Sequence, residues 1–206
     1  MTTKGERDAW AAWLAERRHG GDPELLRRQL EFLAPIRDQV VANAALGAGY
    51  RVLDVGSGDG LIAFAAADAV GPTGQVIFSD VSSDLLDRCR ELARQRGLLD
   101  HCHFVQAPAR DLSPIPDQAV DAVTLRSVLI YETDKAAAFA EFHRVLRPGG
   151  RLSLFEPISR FASPGAARPF PRLRRRARRR SGGQAEAALR RHPAAGLRPH
   201  AGLRRT

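Results

Sequence analysis

The sequence predicts an α/β fold, a doubly wound parallel sheet preceded by a helical cap. Two observations carry this expectation. Strand-like apolar runs alternate with helical segments of roughly 10 to 15 residues between positions 50 and 157, the signature of parallel strands joined by crossover helices. The stretch RVLDVGSGDG, residues 51–60, runs from an apolar strand through Asp54 into three alternating glycines, Gly56, Gly58 and Gly60. A turn of that composition leads from a strand into a helix and lets backbone approach a ligand closely.

Residues 1–46 read as the helical cap. Trp10, Trp13 and Leu14 recur at helical spacing until Gly20-Gly21 breaks the run. Asp22-Pro23 then caps a second helix carrying Leu25, Leu26, Leu30, Leu33 and Ile36, with a bend expected at Pro35. The core spans residues 47–160. Its first strand, 50–55, is followed by the glycine loop and the helix LIAFAAADAV; the turn GPTG leads to a second strand, QVIFSD. Ser82 or Ser83 caps the next helix, Asp84 and Asp87 suit its first turn, and Leu85, Leu86, Cys89, Leu92 and Ala93 form its apolar stripe. Gly97 stops it. HCHFVQ and AVDAVTLRS read as the third and fourth strands. A helix over 133–146 is closed by RPGG, and RLSLFE is the fifth strand.

A length of 206 residues suits one domain with a sizeable core. No apolar run approaches the roughly 18 residues of a membrane span. The N-terminus has no hydrophobic signal core, so a cytoplasmic location is expected. Cys89 and Cys102 lack metal-type spacing. The net charge of +9 is unevenly placed: residues 161–206 contribute +12, and the remaining 160 residues sum to −3. The basicity belongs to the tail.

Two nucleotide-binding patterns compete for the glycine loop. A dinucleotide site wants G-x-G-x-x-G, but counting from Gly56 the last place is Leu61. The chain has acid-x-G-x-G-x-G instead. That pattern, with Asp80 about 20 residues past the last glycine and EFHRVLRPGGRLSLFEP downstream, resembles the class I S-adenosylmethionine-dependent methyltransferases. The resemblance covers residues 50–157 and is nearest to the small-molecule, ubiquinone-biosynthesis-like branch. It implies a Rossmann-like sheet and S-adenosyl-L-methionine as cofactor. Asp54 and the loop carrying Gly56, Ser57, Gly58 and Gly60 would hold the methionine end. Asp80 would grip the ribose hydroxyls, and Val81 would pack on adenine. The family's G-D-A-x-x-L segment, anchored on Leu112, falls on residues 107–112. Its adenine-facing acid is replaced by Pro108, so the amides of Ala109 and Arg110 are left to meet the adenine edge, with Asp111 out of register.

Methyl transfer from a sulfonium is an in-line displacement, so placing the acceptor supplies much of the rate. A base is needed only where the acceptor must lose a proton. The acceptor is expected near the end of the fourth strand, LRSVLIYETDK. Residues 125–128 lack the Asn/Asp-Pro-Pro-aromatic tetrad of nucleic-acid amino-methyltransferases, and no cysteine stands nearby to attack a pyrimidine. Both features point to a small-molecule acceptor. Arg126 is assigned to the cofactor site, and Ser127 and Tyr131 are further candidates to line it. Tyr131 either orients an acceptor or packs at a strand-to-helix corner. His143 suits packing or a helix surface better than catalysis. The imidazoles of His101 and His103 have no third partner, and no metal is expected. Trp10 and Trp13 either close over the cofactor or fill a helix stripe.

The tail, residues 161–206, contains no valine or isoleucine and is dominated by Arg, Ala, Gly and Pro. It cannot supply the helix and two strands that the family adds after its fifth strand. It reads as a disordered segment, and as an out-of-frame translation of GC-rich DNA before a working polyanion-binding tail. The expected function is methyl transfer from S-adenosylmethionine to a small molecule, with activity impaired by the aberrant tail. The alternatives are a nucleic-acid-binding protein acting through its arginines and an NAD-dependent oxidoreductase. No membrane partner is expected, and nucleic acid only non-specifically through the tail.

Overall fold

A computed structural model describes residues 8–12 and 22–157. The short helix α1, Ala9–Ala12, precedes α2, Pro23–Ala44. Asp22 caps α2, accepting from the amides of Glu24 and Leu25, and the helix continues through Pro35. Then follow β1 (Arg51–Val55), α3 (Leu61–Val70), β2 (Gln75–Asp80) and α4 (Ser83–Gln95). Ser82, rather than Ser83, caps α4 by accepting from the amide of Leu85. A 3-10 turn, Leu99–His101, leads into β3 (Cys102–Gln106), β4 (Val120–Arg126), α5 (Lys135–Val145) and β5 (Leu146–Phe155).

The five strands are parallel, in the order β3-β2-β1-β4-β5. The chain winds outward from β1 in one direction, then crosses back to place β4 on its other side. Between β1 and β4 successive connections leave on opposite faces, and a crevice opens there at the carboxyl ends of the strands.

Strand parity divides the core. Val52, Val76, Phe78 and Ala122 point toward α2, α3 and α4, where Phe78 packs against Phe64 and Phe104. Leu53, Ile77, Val123 and Leu125 point to the other face, beneath α5 and the segment bearing Leu112 and Ile115. The helix α2 belongs to the first layer. It packs on α3 and β5, and Ser153 donates its hydroxyl to the carbonyl of Val40 at 2.7 Å.

One sequence boundary is corrected. The RPGG segment does not form a loop between helix and strand. The strand begins at Leu146, opposite Val120, and resumes at Arg151 opposite Ala122, with the register shifted between the two pairs. Gly149, at φ 79°, supplies the backbone conformation that this irregularity requires. Gly150 lies so close to the carbonyls of Arg147 and Asp121 that a Cβ would stand about 3 Å from each. The expectations about Trp13, about the side chain of Trp10 and about the tail 161–206 lie outside the described residues.

Candidate functional site

A cleft of about 350 Å³ opens at the carboxyl ends of β1, β2 and β4. Parity places its charged groups. Asp54, Asp80 and Arg126 continue the alternation of Val52, Phe78 and Ala122, so all three belong to the face covered by α2, α3 and α4. Asp54 is buried, and its carboxylate accepts from the hydroxyl of Thr124, its register partner on β4, at 2.8 Å. Burial pushes the carboxyl of Asp54 up from 3.8 to about 7, against the opposing pull of the Thr124 hydroxyl and the Arg126 charge.

The glycine loop turns back over the strand ends. Gly56, Gly58 and Gly60 all have positive φ, at 64°, 54° and 83°. Asp80 organises the loop from the neighbouring strand: one carboxylate oxygen accepts from the amide of Gly58 and the other from that of Ser82, each at 2.9 Å. Burial raises the pKa of Asp80, while these two amides oppose the shift. Gly56 lies against Val128, whose Cγ2 would stand 2.4 Å from a Cβ added there. Ser57 carries the one buried side-chain oxygen or nitrogen without a hydrogen-bond partner among the described residues.

Of the residues expected at the cofactor, Asp54, Gly56, Ser57, Gly58, Asp80, Val81, Ala109, Arg110 and Arg126 all line this cleft, as does Tyr131. Gly60 does not. It is the N-cap of α3 and is buried beneath the loop, where a Cβ would meet the ring of Phe64 at 2.5 Å. Its glycine is required by packing and by φ.

Two carboxylates outside the expected set shape the opposite wall. Glu132 is buried and receives the guanidinium of Arg110 at 3.0 Å. Arg110 therefore contributes its side chain to an ion pair as well as its backbone to the wall. Glu156, just after β5, accepts from the amides of Val128 and Leu129 at 2.7 and 2.8 Å. It thereby holds the turn that carries Val128, Ile130 and Tyr131 into the cleft. The amides of Ala109 and Arg110 have no acceptor among the described residues. His143 is exposed on the last turn of α5, away from the cleft. His101 and His103 separate onto the 3-10 turn and β3, and no group of three or more potential metal ligands occurs among the described residues.

The chain matches a methyltransferase domain over residues 52–150. It is 38% identical over 120 residues to the ubiquinone/menaquinone biosynthesis C-methyltransferase UbiE of Francisella philomiragia, covering 58% of this chain and 48% of the relative. With the enzyme of the same name from Pseudomonas putida the identity is 43% over 108 residues, covering 52% and 42%. The chain thus spans about half the length of the curated relatives it matches. Among solved structures, the cyclase SpnF superposes with TM-score 0.55 at 34% identity, covering 59% of this chain and 44% of that one. YcgJ of Bacillus subtilis superposes with TM-score 0.52 at 30% identity, covering 57% and 48%. The glycine loop, the acid at each of two strand ends and these likenesses agree, and residues 52–150 of this chain belong to the class I S-adenosylmethionine-dependent methyltransferases.

Proposed function

We propose that this chain binds S-adenosyl-L-methionine in the cleft and transfers its methyl group to a small-molecule acceptor. One observation carries the reading: Asp54 and Asp80 flank a positive-φ glycine loop on the same face of the sheet, all around one cleft. The residues suit the cofactor. Asp80 already binds Gly58 and Ser82 through one lone pair on each oxygen, leaving others for the two ribose hydroxyls. The amides of Ala109 and Arg110, without an acceptor among the described residues, suit the edge of adenine, and Val81 suits its face. Among the described residues four carboxylates line the cleft against two guanidiniums, an acidic surplus that favours a sulfonium cation.

When bound, the cofactor supplies an electrophilic methyl carbon. The protein's contribution is placement and exclusion of water. Tyr131, Val128 and Ile130 form the wall on the acceptor side, and the ion pair of the exposed Arg110 with the buried Glu132 stiffens it. Tyr131 orients the acceptor. The UbiE relatives are named as C-methyltransferases of ubiquinone and menaquinone biosynthesis, and a ring-bearing small molecule suits this largely apolar wall.

Isothermal titration with S-adenosylmethionine, S-adenosylhomocysteine and NAD tests the cofactor assignment. The first two are expected to bind and NAD not, and Asp80→Ala is expected to weaken both by at least roughly tenfold through loss of charge-assisted hydrogen bonds. Preferential binding of NAD, or undiminished affinity in Asp80→Ala, would overturn it. Transfer of radiolabelled methyl to a panel of quinols, phenols and amines tests the reaction. Because a cyclase shares the fold, binding alone does not establish transfer.

A further inference from the structure

We propose that Arg110 and Glu132 are positioning residues, whose ion pair carries the seating of the cofactor's adenosine into the acceptor-side wall. The inference rests on the S-adenosylmethionine reading and adds a coupling between the two halves of the cleft. Its ground is that this pair joins walls built from different connections. Arg110 stands on the segment after β3, where its own amide and that of Ala109 suit adenine. Glu132 stands on the turn after β4, next to Tyr131. Nη1 of Arg110 donates to both carboxylate oxygens of Glu132, at 3.0 and 3.2 Å. Oε1 of Glu132 also accepts from the amides of Thr133 at 2.9 Å and Asp134 at 3.4 Å. Asp134 in turn caps α5, accepting from the amide of Ala137 at 3.0 Å. One guanidinium thus ties the adenine wall to the turn that carries Tyr131 and to the start of α5.

The two partners differ in exposure, and the difference makes the pair responsive to a ligand. The side chain of Glu132 is 6% exposed and that of Arg110 is 46% exposed. Folding has already taken the carboxylate out of water, whereas nearly half the guanidinium still faces solvent. A pair open to water on one side is screened and gains little from its attraction. A ligand lying along the adenine wall displaces that water, and the attraction then acts at a lower effective dielectric. The usual offset, the desolvation of both ions, is small here because Glu132 is buried beforehand. Adenine held on the amides of residues 109 and 110 also fixes the backbone from which the arginine reaches out. Less side-chain freedom is then left for pairing to remove. Both effects tighten the pair when the cofactor is seated, and through Thr133 and Asp134 the tightening reaches the acceptor wall. By linkage, an acceptor that orders this turn raises affinity for the cofactor by the same factor.

Hydrogen exchange at the amides of Thr133 and Asp134 tests this in the full-length chain, with and without saturating S-adenosylhomocysteine. The ligand is expected to slow both amides of the wild type by roughly 3- to 10-fold, the range for strengthening one charge-assisted hydrogen-bonded pair. Arg110→Gln should lose this ligand-dependent slowing, and so should Glu132→Gln, which keeps an oxygen for the two amides but no charge. Arg110→Lys should restore part of it, since an ammonium can pair as a point charge. Slowed exchange at Gly58, whose amide donates to Asp80, reports in each variant that the site is folded and occupied. Slowing at Thr133 and Asp134 that survives in Arg110→Gln would overturn the proposal and assign the protection to direct contact with the ligand. Exchange raised equally with and without ligand would overturn it as well, leaving the pair a purely structural strut. Wild type that binds the ligand by titration yet shows no slowing at the turn would do the same. If titration showed no binding by wild type, the cofactor reading would fail first, and this inference with it.

Discussion

A carboxyl group at the buried end of a strand loses its hydration, and for that reason Asp54 is raised from 3.8 to about 7. The linkage has a definite sign. Between those values the folded protein holds a proton that the unfolded chain has released. Rising pH therefore withdraws stability across this window and none further above it. Asp54→Asn removes the penalty. The ligand-free variant is expected to melt above wild type at pH 8, with the gap narrowing toward pH 5, as scanning calorimetry would register. A gap that does not change with pH would refute the assignment. The same variant should bind S-adenosylmethionine more weakly at pH 8, because a neutral amide cannot answer the ligand's ammonium. Stability and binding move in opposite directions at this residue. Asp54 and Asp80 were legible in the sequence because each ends a strand at a fixed distance from the glycine loop. Glu132 and Glu156 were not. Their partners lie 22 and 28 positions away, and nothing local marks an acid as the holder of a distant guanidinium or turn.

At the scale of elements, the turn after β4 decides the shape of one cleft wall. Ser127 adopts φ 57°, and its amide donates to the carbonyl of Phe155 at 2.8 Å, which bends the chain off the sheet. Glu156 then gathers the next amides, and Val128 is pressed against Gly56. Replacing Glu156 with alanine strips those amides of their acceptor. Hydrogen exchange at Val128 and Leu129 is expected to accelerate by roughly 10- to 100-fold, with β1 and β2 unchanged and Glu156→Gln intermediate. Exchange that stays at the wild-type rate would mean the turn is held by its own packing. The helices and strands themselves were readable from periodicity, apart from the start of β5. There the pair of glycines reads as a terminator, but pairing with β4 draws the segment into the sheet. Cross-strand hydrogen bonds outweigh the local preference for a turn.

For the whole molecule, the site exists because β1 lies between β2 and β4. That order brings Asp54 to Thr124, 70 positions apart, and leaves the strand ends open where the winding reverses. A ligand that bridges β2, β1 and β4 stabilises the sheet as a unit. At about 100 times its dissociation constant, S-adenosylhomocysteine is expected to add about 2.7 kcal/mol, raising the melting temperature by roughly 5 to 10 °C. NAD at equal concentration should leave it unchanged; a shift with NAD alone would count against the family's cofactor. By itself the sequence determined the alternation of elements, the parity of each strand and the acid-glycine loop, since these depend on neighbours a few residues apart. It therefore also placed most of the cleft's lining. Only the tertiary structure decided that Gly60 serves packing, that Arg110 pairs with Glu132 and that Glu156 holds the turn after β4. Those outcomes depend on which distant charge arrives beside each group, and strand order, not local pattern, sets that.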